Sequence, residues 1–148
     1  MASLLSKLYD RARHRQAGEA QGEPARGFDH LRGHKYCLLI SYKRSGETVP
    51  TPVWFGLADG RLYTRSESSA WKLRRIANDP RVMVAPCSLR GKPLGPPAEG
   101  RARALENRLE RERAEAAIRS SYGLGRRVYK ALLGAASVET TYIEVTPT

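Results

Sequence analysis

The chain has 148 residues, of which 41% are hydrophobic and 28% charged, as expected for one globular domain. No apolar run approaches the ~20 residues of a membrane span. The apolar stretch near the N-terminus is interrupted by Lys7 and Asp10 and is too short for a signal peptide. We therefore expect a cytoplasmic protein that neither spans a membrane nor is exported.

The net charge of +11 indicates an anionic partner, and nucleic acid, an acidic membrane surface or a polyanionic small molecule would each fit it. The excess of Lys and Arg over Asp and Glu is largest in residues 36–90. The basic runs are only pairs such as Lys43-Arg44 and Arg74-Arg75, which disfavours a nucleic-acid-binding arm without excluding a nucleic-acid-binding protein.

Two regions are predicted, an N-terminal arm over residues 1–27 and one domain over residues 28–148. Apolar residues at helical spacing in residues 3–15 are followed by a polar, glycine-containing linker. This pattern is compatible with a mobile arm, a docked helix or a peripheral membrane contact. The domain is expected to open with a short helix near Phe28 and Leu31.

Three strands are predicted in the first half of this domain. An apolar run predicts a strand over Tyr36–Tyr42, and residues 43–47 then form a hairpin connection. Alternating apolar residues predict one continuous strand with a buried face made by Thr51, Val53, Phe55 and Leu57. The next strand, residues 62–64, follows Asp59-Gly60, a strong hairpin signal because glycine accepts the positive φ of a tight turn.

A basic helix is predicted next, with Ser69 as its N-cap and residues 78–80 (Asn-Asp-Pro) as its stop. One face carries the apolar residues Ala70, Leu73, Ile76 and Ala77. The first turn holds Lys72 where an acidic residue would complement the helix dipole. A bound anion at the helix start would resolve this conflict, and a solvated lysine is the alternative.

The second half is predicted to contain a strand from Arg81, a loop over Leu89–Gly100 and a strand from Gly100 to about Leu105. A helix capped by Asn107 is expected to run to about Ser120, with apolar positions at Leu109, Ala116, Ala117 and Ile118. Charge pairs four residues apart predict that its other face is solvated: Arg108–Glu112, Arg111–Glu115 and Glu115–Arg119.

A helix near residues 128–133 and a strand over residues 140–146 complete the chain. Thr141, Ile143 and Val145 are expected to share one face of that strand. The short connections favour a closed or nearly closed antiparallel barrel.

The sequence lacks the usual motifs of catalysis by side chains alone. No histidine spacing indicates a metal site, and neither a nucleophile elbow nor a phosphate-binding loop is present. Cys37 and Cys87 lie in apolar strand patterns and are expected to be buried thiols, which suits a reducing compartment. The protein is therefore expected either to bind a ligand only or to depend on a cofactor for its chemistry.

Several segments together resemble one superfamily. They are V-P-T-P-V-W-F, the L-Y-T before the basic helix, N-D-P-R-V, and A-P-C followed by R-G-K-P-L-G. Over Gly33–Thr148 the chain resembles the flavin and deazaflavin oxidoreductases of the split β-barrel superfamily, related to pyridoxamine 5′-phosphate oxidase. Within it the chain is most similar to the subgroup that uses the deazaflavin coenzyme F420.

The resemblance implies a mainly β protein with helices, a six-stranded antiparallel split β-barrel that forms a homodimer with cofactors near the subunit interface. It implies an F420-dependent oxidoreductase that transfers a hydride between the coenzyme and an unidentified small-molecule substrate. The alternatives are an FMN-binding relative, a non-catalytic F420 carrier, or a basic barrel that binds nucleic acid.

The resemblance also implies a cofactor site but no particular catalytic residue. Pro52, Val53 and Trp54 would border the deazaflavin ring, with Ala85, Pro86 and Cys87 close by. Thr64 and Ser69 would donate hydrogen bonds to the coenzyme phosphate, and Lys72 would neutralise it. Where Glu67 stands this sequence departs from the basic pattern, and Arg65 is the expected substitute.

Overall fold

The computed structural model describes residues 27–122 and 140–148. These residues form seven strands: β1 (Tyr36–Tyr42), β2 (Thr48–Trp54), β3 (Gly56–Ala58), β4 (Arg61–Glu67), β5 (Arg81–Cys87), β6 (Ala98–Leu105) and β7 (Thr140–Pro147). Helix α1 (Trp71–Asn78) follows β4, helix α2 (Arg108–Tyr122) follows β6, and a short 3₁₀ helix (Asp29–Leu31) precedes β1. The predicted arm and the helix near residues 128–133 lie outside the described residues.

The strands form one antiparallel sheet in the order β2-β1-β5-β6-β7-β4-β3. The two strands at the ends of this order, β2 and β3, are consecutive in the chain and are separated only by Phe55. Because one short crossing joins the two ends, the sheet must curl round on itself into a barrel. No helix within the described ranges is long and apolar enough to cross a membrane.

The prediction of one continuous strand through Thr51–Leu57 is wrong, which is why the structure has seven strands instead of six. Trp54 pairs with Tyr36 of β1, whereas Gly56 pairs with Tyr63 of β4. The chain therefore changes partner at Phe55. Alternation of apolar residues continues through this point because both halves of the segment face the same interior.

The hairpin after β3 confirms the turn prediction. Asp59 and Gly60 both have positive φ, 54° and 74°, which is the conformation of a tight type I′ turn. The β1–β2 hairpin also lies where it was expected, closed by a hydrogen bond from the Lys43 amide to the Glu47 carbonyl at 2.8 Å. These two turns set the register of the strands that carry the predicted site.

The beginning of α1 differs from the prediction. Its N-cap is Ala70, with no side-chain capping bond, and the Ser69 hydroxyl donates instead to the Glu67 carboxylate at 2.9 Å. The helix begins one residue later than predicted, at Trp71, so Ser69 lies outside the cap position. Ala77, expected on the apolar face, is exposed, and Ile76 is the buried residue of the helix.

Helix α2 packs on the outer side of the sheet, where it covers part of β3, β4 and β7. The predicted cap is confirmed, since the Asn107 side-chain oxygen accepts the Leu109 and Glu110 amides at 2.9 and 3.3 Å. The apolar face is shifted, however: Leu109 is 65% exposed and Ala116 is exposed. The face that meets the sheet is made of Ala114, Ala117 and Ile118.

The charged side of α2 is only partly solvated. Arg108 and Glu112 form the predicted exposed pair, with Nε and Oε1 3.2 Å apart. Glu115 turns to the sheet instead, where its Oε2 accepts the Tyr142 hydroxyl at 2.5 Å. The prediction that Glu115 belongs to a solvated face is therefore wrong, because a buried tyrosine supplies it with a strong donor.

The main core fills the barrel interior between the strands and α1. It includes Ile143 and Val145 of β7, which confirms the predicted face of that strand, while Thr141 is half-buried. The alternate residues, Tyr142 and Glu144, are buried on the other face, beneath α2. β7 therefore has both faces covered at its centre.

Candidate functional site

Strand β1 lies between the two segments predicted to border the cofactor ring. Three cross-strand rows connect β2, β1 and β5: Pro52–Leu38–Ala85, Val53–Cys37–Pro86 and Trp54–Tyr36–Cys87. All six ring-contact residues predicted from the sequence are thus gathered around one short piece of β1. The spacing of these residues in the sequence does not predict that β2 and β5 pair with opposite edges of β1.

These rows alternate between the two faces of the sheet. Val53 and Cys37 belong to the barrel core, so their row, with Pro86, faces the interior. The other two rows place Pro52, Trp54, Ala85 and Cys87 on the outer face. Of these four residues only Trp54 is partly exposed, whereas Pro52, Ala85 and Cys87 are buried, so Trp54 is the one that a planar ring on this face would meet directly.

Trp54 has an aromatic neighbour that the sequence reasoning did not include. Its ring meets the Tyr36 ring edge-on, with centroids 5.8 Å apart and planes at 63°. Trp54 is half-buried and Tyr36 is half-buried beside it. The aromatic residue at the start of the β1 run was a signal for this contact, but only the register of the hairpin reveals its partner.

Thr64 is fully buried, and its hydroxyl donates to the Trp54 carbonyl oxygen at 2.5 Å. A hydroxyl has one proton to donate, and this one is directed to the backbone of β2. The phosphate contact predicted for Thr64 would have to replace that bond. The structure therefore connects Thr64 with Trp54, and its contact with a coenzyme phosphate stays a prediction.

Lys72 occupies the first turn of α1, in which no acidic residue is present. Its ammonium group acts on the same part of β1. Burial raises the pKa of the Cys37 thiol well above its usual range, the nearby Cys87 raises it further, and the positive charge of Lys72 opposes the rise. The basic start of α1 therefore lies on the side of β1 that carries Cys37, the interior face of the strand.

Arg65 and Ser69 are not brought to this place. Strand alternation puts Arg65 on the face opposite Thr64, where its Nη1 lies 3.8 Å from Glu115 Oε2 and its guanidinium lies 5.4 Å from the centre of the Tyr142 ring. Ser69 is exposed and bonded to Glu67. Arg65 therefore has the Glu115 carboxylate of α2 as its counter-ion, and its expected contact with the phosphate stays a prediction.

The predicted loop after β5 folds back along the end of β5. The Leu94 amide donates to the Pro86 carbonyl at 2.8 Å, and Pro93 makes an isolated β-bridge with Cys87. A Cβ placed on Gly95 would lie 2.8 Å from Pro86 Cγ. The glycine of the P-L-G motif is therefore needed for a close approach to the A-P-C strand, a role that the sequence reasoning missed.

The cysteines confirm the prediction of buried, unpaired thiols. Burial raises the pKa of Cys87 to about 12, so the thiol stays protonated at neutral pH and is a poor nucleophile. Among the described residues no group of three or more His, Cys, Asp or Glu side chains could hold a metal ion. The chemical features of the site are an aromatic and apolar surface and a nearby cationic helix start.

No protein-family model matches this sequence, and no curated protein matches it. Solved structures do. A conserved hypothetical protein of Mycobacterium tuberculosis matches with a TM-score of 0.60 at 16% identity, over 80% of this chain and 76% of that one. A candidate pyridoxamine 5′-phosphate oxidase of Listeria innocua matches with a TM-score of 0.53 at 22% identity, over 79% and 86%.

A third structure, an FAD-binding protein of Mesorhizobium loti, has a TM-score of 0.56 at 16% identity, over 80% of this chain and 84% of its own. A heme storage protein of Vibrio cholerae has the same architecture, with a TM-score of 0.58 at 13% identity and the same coverage. The chain therefore has the split β-barrel fold of the pyridoxamine 5′-phosphate oxidase-like proteins. The resemblance seen in the sequence is confirmed at the level of the fold.

Proposed function

We propose that this protein is an oxidoreductase that binds the deazaflavin coenzyme F420 beside β1. The observation that carries the proposal is the arrangement of β2 and β5 around Tyr36–Leu38, with the acid-free start of α1 coupled to the same strand. A planar ring requires an apolar and aromatic surface, and an anionic phosphate favours a helix start that carries a lysine. Both are present beside β1, the aromatic surface on its outer face and the helix start on the side of its interior face.

Different residues would contact the ring and the phosphate of the coenzyme. Trp54 would meet the ring on the outer face, where the buried Pro52, Ala85 and Cys87 line the sheet beneath it, and Lys72 would neutralise the phosphate. The reduced deazaflavin supplies a hydride, so the protein has to bind the substrate, orient it and exclude water. No group of this chain is assigned as the proton donor.

An FMN-binding relative is the second candidate, supported by the FAD-binding protein of Mesorhizobium loti among the structural neighbours. A carrier that holds the deazaflavin without turnover uses the same site and differs only in lacking a substrate. The two free, buried thiols suit a reducing cytoplasm.

We further propose a homodimer whose partner completes the site. Light scattering tests this, and a monomer that binds the coenzyme with full affinity would contradict it.

Lys72→Ala tests the site. A charge-assisted hydrogen bond contributes about 1.5–3 kcal/mol, so its loss should weaken coenzyme binding roughly ten- to hundredfold. Higher salt should narrow this gap, because the contact is partly exposed to solvent. The melting temperature without ligand should change little, since the lysine opposes the helix dipole.

Lys43→Ala is the matched control, because it removes the same charge from an exposed turn where the Lys43 ammonium lies 3.4 Å from Glu47 Oε2. Its coenzyme affinity should remain close to that of the wild type. Equal affinity of the wild type and Lys72→Ala at low salt would mean that the phosphate binds elsewhere.

A further inference from the structure

Trp54 is fixed both through its ring and through its backbone. It is the last residue of β2, directly before the chain leaves β1 to pair with β4. The Tyr36 ring lies edge-on against its indole, and the Thr64 hydroxyl donates to its carbonyl oxygen at 2.5 Å. The aromatic residue proposed to lie against the coenzyme ring is therefore held from two directions.

Thr64 makes its contact from inside the barrel. Its relative exposure is 0%, and its neighbours on the same face of β4, Leu62 and Ser66, are buried as well. A ligand on the outer face cannot reach this hydroxyl. The bond instead ties the interior of β4 to the end of β2, the two strands between which the chain crosses.

We infer that Thr64 is a positioning residue that fixes the Trp54 backbone at the crossing from β2 to β3. A regular ladder cannot continue through this crossing, because Trp54 pairs with β1 and Gly56 pairs with β4. A side-chain donor from β4 supplies a bond at the point where the ladder changes partner. Because this hydrogen bond fixes the Trp54 backbone, it also sets the orientation of the indole on the outer face. Its effect on coenzyme binding rests on the proposed function.

The test uses the single-tryptophan variant Trp71→Phe, because the chain has two tryptophans and Trp71 lies 46% exposed on α1. In this background Thr64→Ala and Thr64→Ser differ only by the hydroxyl group. Near-ultraviolet circular dichroism and emission of Trp54 are recorded without ligand, and the deazaflavin is then titrated. Ser66→Ala is the control, since Ser66 is buried on the same face but donates to the Glu67 carbonyl at 3.2 Å.

Relative to Thr64→Ser, Thr64→Ala should weaken the near-ultraviolet signal of Trp54 and raise the Kd for the deazaflavin roughly three- to tenfold, as expected for one lost hydrogen bond. Ser66→Ala should retain both wild-type values. Thr64→Val, which keeps the shape of the threonine, should behave like Thr64→Ala, so that a failure of either variant to fold leaves the other to decide.

Each outcome has a distinct meaning. Identical Trp54 spectra in the alanine and serine variants overturn the positioning role, because these spectra require no ligand. Different spectra with equal deazaflavin affinity show that Trp54 is positioned by Thr64 but overturn the link to coenzyme binding. A wild-type protein that binds no deazaflavin refutes the proposed function, while the spectra of the ligand-free variants still decide whether Thr64 holds Trp54.

Discussion

At the scale of single residues, Tyr142 is the polar link between β7 and α2. Its hydroxyl donates to Glu115, and its ring centre lies 5.4 Å from the Arg65 guanidinium and 5.6 Å from that of Arg111. Burial, assisted by the bond to Glu115, raises the pKa of Tyr142 to about 12. A tyrosine in an unfolded chain has a pKa near 10.

This difference predicts how stability depends on pH. The folded protein holds the Tyr142 proton more tightly than the unfolded chain does, so this contribution is complete below about pH 10 and is lost as the pH rises to about 12. Tyr142→Phe cannot ionise there, and its free energy of unfolding should fall less steeply over that window. Urea unfolding at a series of pH values measures both slopes. Equal slopes for wild type and variant would show that Tyr142 does not hold its proton more tightly when folded.

At the scale of secondary-structure elements, the packing of α2 on β3 depends on Gly56. A Cβ at this position would lie 2.2 Å from the Ala117 carbonyl oxygen and 2.6 Å from the Ile118 amide nitrogen, both in the helix backbone. A backbone cannot move aside as a flexible side chain can. Gly56→Ala should therefore cost about 3 kcal/mol, at the upper end of ordinary overpacking.

Gly46→Ala is the control for this prediction. Gly46 has open space around it but a φ of +89°, so an alanine there suffers backbone strain without a clash. That strain should cost about 1–2 kcal/mol. Urea unfolding of the two variants separates the two effects, and a Gly56→Ala protein as stable as the wild type would mean that α2 can shift away from β3.

The elements that local chemistry decides could be predicted from the sequence. Asp59-Gly60 and the Asn107 cap both depend on contacts within a few residues, and the structure shows each where it was expected. The break at Phe55 could not be predicted, because apolar alternation runs through it and only the change of partner strand reveals it. The prediction of Ser69 as the N-cap is wrong because α1 begins one residue later, with Ala70 as its cap.

The candidate site, too, could be predicted only in part from the sequence. Residue patterns predicted the strands β2 and β5, the resemblance to the split-barrel oxidoreductases implied that their residues lie beside the cofactor ring, and the helix dipole singled out Lys72. Which face each residue occupies, and the displacement of Arg65 to Glu115, depend on the pairing of strands distant in sequence and on the docking of α2. The bond from Thr64 to Trp54 depends on the crossing between the two ends of the sheet, which no local pattern encodes.

At the scale of the whole molecule, the fold alone does not decide the ligand, because the same architecture occurs in a heme storage protein and in an FAD-binding protein. The net charge of +11 is compatible with a phosphorylated coenzyme and also with nucleic acid. The acid-free helix start and the aromatic surface beside β1 favour a small planar anion. The central claim is therefore that the protein binds F420 in preference to FMN and to nucleic acid.

Titration of the wild-type protein with F420, with FMN and with a single-stranded oligonucleotide tests this preference most directly. Tryptophan fluorescence follows all three ligands at one moderate salt concentration. We predict a Kd for F420 that is micromolar or lower, with FMN binding more weakly and the oligonucleotide more weakly still. A lower Kd for FMN than for F420 would identify a flavin-binding relative, and preferred binding of the oligonucleotide would contradict the coenzyme site altogether.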